Sequence, residues 1–219
     1  MNTKNIYFTE FNINVNEAKK NALLHSQNAV TTAATELLGE AIIKKYRLWN
    51  ALFPNYKSVK KATSKKNQKE GIDFFITTED DTVYTVDLKV CCGPDYTAGQ
   101  RCYKEPTRLI KLPDGYVLNA APIELTQNNI RTFTSSKKTD FLLFIFADNN
   151  GISYTLIDYI TILNVVDEHI DKLVTEKNGL KQRVAVEKNR GSLVHYTSNN
   201  GSGVYVLLPV KSIILTKRA

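Results

Sequence analysis

Gly71-Ile72-Asp73-Phe74-Phe75-Ile76, the acidic turn Glu79-Asp80-Asp81 and Thr85-Val86-Asp87-Leu88-Lys89-Val90 read as two β-strands of a hairpin. Side chains along a strand alternate between faces, so Asp87 and Lys89 share one face while Val86, Leu88 and Val90 share the other and can be buried. The spacing between Asp73 and Asp87 is one that two short strands and a turn span, which sets the two carboxylates side by side. The tripeptide acid-x-Lys carries little by itself, since it also occurs at Glu17-Ala18-Lys19. Only the second copy sits in an alternating apolar strand with an acid on the strand before it. Without further context, Asp87 and Lys89 read equally well as a cross-strand ion pair on a solvated sheet face.

The context is a helix upstream. From Asn28 to Trp49 the apolar residues Val30, Ala34, Leu37, Leu38, Ala41, Ile42 and Tyr46 recur at intervals of three and four, the pattern of an amphipathic helix of about six turns. Glu36 and Glu40 stack on one side of that helix, beside the apolar stripe, where either can look towards the sheet. Glu40 is also placed to pair with Lys44 as ordinary surface charge. Gly39 costs a helix about 1 kcal/mol relative to alanine, so its presence predicts a close backbone approach to another element.

Two carboxylates, a backbone carbonyl and phosphate oxygens make a suitable shell for a hard divalent cation such as Mg²⁺. A neighbouring ammonium adds a group that can orient water and stabilise charge on phosphorus. In this order, a helix carrying Gly39-Glu40-Ala41-Ile42-Ile43, a strand, a strand entered through Gly71-Ile72-Asp73 and a strand with Asp87-Leu88-Lys89, the chain resembles the PD-(D/E)XK nuclease superfamily. The resemblance spans Asn28 to Val90 and extends to Glu124–Ile157. It implies a restriction endonuclease-like central mixed β-sheet flanked by helices, an α/β fold. It further implies that Asp73, Asp87, the Leu88 backbone carbonyl and Glu40 surround Mg²⁺ or Mn²⁺, with Glu40 preferred to Glu36, and that Lys89 is the catalytic lysine. The implied activity is metal-dependent phosphodiester hydrolysis, with DNA the expected substrate and internal cutting expected over trimming from an end. The chain departs from the family pattern in having Asp at 87 where Glu is commoner, no proline before Asp73, and a long stretch from Cys91 to Pro122 after the Asp-x-Lys strand.

The remainder is compatible with a single domain over 1–219, with core segments at about 28–90 and 124–157. A short helical stretch is expected from Glu124 through Phe133. The continuous apolar run Phe141 to Phe146 predicts a strand buried on both faces, and Asn149-Asn150-Gly151 a turn into a second strand from Ser153 to Ile157. Ile160 to Glu176 reads as a helix. A closing strand is expected at about 204–210, with Pro209 near its end. Residues 91–122 and 177–203 read as insertions, the first a candidate for substrate specificity because recognition commonly sits on loops.

The chain has 219 residues, 29 Lys and Arg against 22 Asp and Glu, and a formal net charge of +7. That sign suits a polyanionic partner. Lys57, Lys60, Lys61, Lys65, Lys66 and Lys69 follow one another without an intervening acid and are expected to form a loop beside the carboxylates, serving either nucleic-acid binding or solubility. Arg101, Lys104 and Arg108, interleaved with Tyr96 and Tyr103, are further candidates for contacting a nucleic-acid backbone. No run approaches the roughly 18 apolar residues of a membrane span, and the first residues lack a signal peptide's apolar middle, so a cytoplasmic protein is expected. Cys91, Cys92 and Cys102 are odd in number and remote in sequence from His25, His169 and His195, which argues for a reducing compartment and against a zinc site. A homodimer is the expected way to cut both strands of a duplex. The competing expectations are a nucleic-acid-binding module that does not cut, and an unrelated α/β interaction protein whose acids are surface charges.

Overall fold

A computed structural model describes residues 6–14, 27–92, 115–127, 130–148, 151–170, 173–175, 182–184, 194–197 and 203–217. In chain order its helices are α1 (Ile6–Glu10), α2 (Gln27–Tyr46), α3 (Leu48–Leu52), α4 (Lys65–Lys69) and α5 (Tyr159–Ile170). Its strands are β1 (Tyr56–Lys61), β2 (Phe74–Thr78), β3 (Val83–Cys92), β4 (Tyr116–Gln127), β5 (Ile130–Arg131), β6 (Phe141–Asp148), β7 (Gly151–Asp158), β8 (Leu173–Thr175), β9 (Gln182–Val184), β10 (Val194–Thr197) and β11 (Gly203–Lys217). The fold is α/β. One nine-stranded sheet runs β1-β2-β3-β6-β7-β11-β4-β5, with β10 added to β11, and β8 and β9 form a separate two-stranded ribbon. β3 and β6 lie parallel; the other neighbours in the sheet are antiparallel.

The β2–β3 hairpin forms as its alternation dictates, with Phe74 opposite Val86 and Ile76 opposite Tyr84. Asp80 organises the turn by accepting from the Thr78 hydroxyl at 2.6 Å and the Thr82 amide at 3.3 Å. Val86 and Leu88 face α2 in one apolar layer with Leu38, Ile42, Leu143 and Ile145. On the opposite face Cys91 joins Leu142, Phe144, Phe146 and Ile162 of α5. The run Phe141 to Phe146 therefore feeds both layers alternately, which is why it contains no polar residue. Gly39 is where α2 touches β3: a Cβ there would stand 2.5 Å from Val90 Cγ2 and 3.0 Å from Leu88 Cδ2. The helix comes this close only because that position has no side chain. Arg47, in the left-handed region at φ 51, separates α2 from α3.

Several sequence expectations are corrected. The segment after Glu124 is not helical: Tyr116–Gln127 is the long strand β4, paired along its length with β11, so residues 116–122 belong to the sheet and not to an insertion. The closing strand runs from Gly203 to Lys217, beyond the expected end at 210. The lysine-rich segment is not a loop but the edge strand β1 followed by the short helix α4. Short strands β9 and β10 lie within 177–203. Arg101, Lys104, Arg108 and Cys102 fall outside the described residues. Among the described residues, no helix is long and apolar enough to cross a membrane.

Candidate active site

The two acids of the hairpin converge where β2 begins. The Asp73 amide donates to the Val86 carbonyl at 2.9 Å, which continues the β2–β3 ladder one residue past the strand end. The Asp73 side chain then turns across the strand, and its Oδ2 accepts the Leu88 amide at 2.8 Å. A residue's N–H and C=O point to the same strand edge, so the Leu88 carbonyl is directed to the side on which Asp73 lies. Asp87 is buried, with 4 % of its surface exposed. Its Oδ1 accepts from the Lys89 ammonium at 2.7 Å, while among the described residues no amide, hydroxyl or ammonium donates to its Oδ2; the Asp73 carboxyl, when protonated, is the group placed to hydrogen-bond Asp87. A buried carboxylate oxygen left without a donor costs stability, commonly about 1–3 kcal/mol, and calls for an explanation.

The electrostatics follow from the crowding. Burial first and the neighbouring Asp87 charge second push the Asp73 carboxyl up to about 6, against the opposing Leu88 amide and Lys89 ammonium. Burial acts to lower the Lys89 ammonium, but the Asp87 charge and hydrogen bond, with Asp73 and Glu124, hold it above its ordinary value. Lys89 is therefore charged at neutral pH. On α2 the two glutamates part company. Glu40 is held in an ion pair by Lys61 of β1 and lines a groove of about 350 Å³ with Ile43, Lys44, Trp49 and Phe74. Glu36, one turn earlier, has its carboxyl raised chiefly by burial, and the charges of Lys61, Glu40, Lys89 and Asp87 all act on it. Asp87 and Lys89 thus act on Glu36, while the partner of Glu40 is Lys61 in place of the expected Lys44.

Of the proposed nucleic-acid contacts, Lys60, Lys61 and Lys66 are exposed; Lys60 and Lys61 lie on β1 and Lys65 and Lys66 on α4, immediately before the Glu70–Asp73 turn. Two residues not singled out from sequence also reach the site. Lys137, between β5 and β6, feels the charges of Lys89, Asp87, Glu124 and Asp73, and Glu124 of β4 acts on both lysines. Neither had a local signature, because both arrive through contacts between distant segments.

No protein-family model, no curated protein and no solved structure matches this chain.

Among the described residues no group of three or more His, Cys, Asp or Glu side chains is placed to hold a metal ion. Mg²⁺ does not require such a cage, since it commonly uses one or two carboxylates with waters and substrate phosphate. Asp73, Asp87 and the Leu88 carbonyl fit that pattern, and the unbonded, buried Asp87 Oδ2 is the ligand atom that fits best. The Asp73 shift gives the fit a pH signature. The raised carboxyl keeps in the folded state a proton that the unfolded chain gives up near pH 4, so in EDTA its contribution to stability is lost as pH rises through about 6. The stability difference between wild type and Asp73→Asn should accordingly move against wild type between about pH 4 and about pH 7. A difference that stays flat over that range in chemical denaturation would refute the shift.

Proposed function

We propose that the chain is a metal-dependent nuclease of the PD-(D/E)XK type, hydrolysing phosphodiester bonds in nucleic acid, with DNA as its substrate. The observation that carries this reading is Asp87: buried, bonded through one oxygen to Lys89, unbonded at the other and flanked by Asp73. An ordinary surface ion pair explains neither the burial nor the orphaned oxygen.

Asp73, Asp87 and the Leu88 carbonyl would hold Mg²⁺ or Mn²⁺, which when bound would supply positive charge to the scissile phosphate and lower the pKa of an attacking water. Glu36 is the helix carboxylate assigned to assist, in place of Glu40. Lys89 is fixed by Asp87 at the edge of the cluster, its ammonium placed to orient that water and to stabilise charge on the pentacoordinate phosphorus. In the reaction the water oxygen forms a bond to phosphorus, the ester P–O bond breaks, and the water's proton ends on the departing oxygen. Lys60, Lys61 and Lys66 extend positive charge along the exposed edge next to the site, an arrangement suited to a phosphate backbone. Cutting both strands of a duplex would use a homodimer, and a cytoplasmic setting agrees with the cysteine content.

Incubation with linear duplex, circular and single-stranded DNA and with RNA, in Mg²⁺ or Mn²⁺ against EDTA, tests the reading. Cleavage that requires the metal is the expected result, and the substrates that survive define the class. Retained DNA binding with no cleavage of any substrate would replace the nuclease with a binding module on the same fold.

A further inference from the structure

Lys137 plays no part in the assignment above, yet the fold delivers its ammonium to the same place. It lies in the connection from β5 to β6, and that connection is clamped on both sides. The Lys138 amide donates to the Glu70 carbonyl at 3.0 Å, and the Lys138 ammonium pairs with the Glu70 carboxylate at 3.3 Å. Thr85 of β3 donates its hydroxyl to the Lys138 carbonyl at 2.7 Å and its amide to the Asp140 carboxylate at 2.7 Å. The Tyr159 hydroxyl closes the other end, donating to the Thr134 carbonyl at 2.8 Å. A lysine on a loop held at this many points is positioned by the scaffold, as a catalytic group needs to be.

The ammonium arrives beside a glycine. Gly71 sits at φ +73, a conformation that favours glycine, and a Cβ there would stand 3.2 Å from Lys137 Cδ, 3.5 Å from Lys137 Nζ and 3.7 Å from Asp87 Oδ2. Having no side chain, Gly71 lets the Lys137 side chain and Asp87 Oδ2 approach the same point beside its backbone. Lys137 does not close onto that oxygen. It is instead supported by the face of Phe133, 4.9 Å from the ring centroid. Burial and the like charge of Lys89 both disfavour its protonated form. Asp87, Asp73 and Glu124 act in the opposite sense and favour it. With a divalent cation held by Asp73 and Asp87, the two ammonium groups would leave the site with excess positive charge, which a phosphodiester can meet.

We propose that Lys137 is a further catalytic residue, whose ammonium contacts a non-bridging oxygen of the scissile phosphate. It rests on the nuclease reading. Lys89 addresses the water; Lys137 neutralises the phosphoryl oxygens as charge grows on them.

Single-turnover cleavage by wild type, Lys137→Gln and Lys137→Arg in Mg²⁺, with duplex affinity measured in Ca²⁺ and thermal melting in EDTA, tests the assignment. The expected result is a loss of about 100-fold in rate for the Gln variant, a change in affinity of about threefold or less, and recovery of at least about tenfold by Arg, which keeps the charge. A Gln variant that cuts within about threefold of wild type overturns the role of Lys137 and leaves the nuclease standing. Equal losses in both variants, accompanied by lowered melting temperatures, overturn it in favour of a structural role. A wild type that cuts nothing in any metal overturns the reading on which it rests, and the assignment with it.

Discussion

Asp87→Asn should lower the single-turnover cleavage rate by about 1000-fold or more while leaving the metal-free protein folded. The two halves of that result have different causes. Asn keeps the shape of the side chain but removes the charge from the one atom best placed to ligate a cation. In EDTA the same change removes a buried anion that repels Asp73 and is only half satisfied. The Lys89 side chain left behind is 41 % exposed, and the Asn amide oxygen still offers its ammonium an acceptor. The net effect on the metal-free protein is therefore about 1 kcal/mol or less, a few degrees in melting temperature. Wild type should gain about 2.7 kcal/mol of stability at a hundredfold excess of Mg²⁺ over its Kd, and the variant nothing comparable. A variant that still cuts within about tenfold of wild type, or that is stabilised by Mg²⁺ as much as wild type, would remove Asp87 from the metal site.

Lys89→Ala should reduce cleavage by about 100- to 10,000-fold with little loss of DNA affinity. One cation among many contributes weakly to binding, whereas a group acting on the nucleophile contributes only as the transition state forms. This substitution differs from the first in its effect on the protein without metal. It takes away the Lys89 ammonium that donates to Asp87 Oδ1 and leaves a buried carboxylate with no ammonium or amide donor among the described residues. The metal-free protein should lose stability at neutral pH and recover a larger share of it in Mg²⁺ than wild type gains. Titration of labelled duplex in Ca²⁺ against single-turnover rates in Mg²⁺ separates the outcomes. A parallel fall in affinity and rate would make Lys89 a phosphate contact instead.

The hairpin was legible in the sequence because its information is local: alternation on β3, a turn of acids, and a lysine two residues from an aspartate. Gly39 was legible for a different reason, since a glycine in mid-helix costs stability and so announces a close contact, which proved to be with Leu88 and Val90. β4 was not legible. Asn119 and Pro122 interrupt its apolar pattern, and proline normally argues against a strand inside a sheet. The register explains the exception. Pro122 pairs with Leu207 on one side, and on the other β5 meets β4 only at Thr126 and Gln127, so among the described residues no donor is missed. Pro209 misled in the same way. It was placed near a strand end, yet it sits in the middle of β11, in the interval between the residues that pair with β10 and those that pair with β7. The choice between Glu36 and Glu40 was hidden because both lie on one helix side. Lys61, which pairs with Glu40 and also acts on Glu36, belongs to a segment that read as a loop.

β11 hydrogen-bonds to β7 through Ile213–Lys217, to β4 through Gly203–Ile213 and to β10 through Val204–Leu207. During synthesis, β1, β2, β3 and β6 can find all their neighbours in the sheet, and β7 its β6 side, with α2 laid on β3, before any of β11 exists. β4 cannot. At a typical elongation rate, roughly 4–15 s separate the making of β4 from that of β11. For that interval its apolar Ala121, Ile123 and Leu125 and its backbone donors have no sheet partner beyond the short β5. The half of the molecule that carries Asp73, Asp87, Lys89 and Lys137 thus assembles on the ribosome first. The chain is most exposed to aggregation while its middle strand waits for its last one.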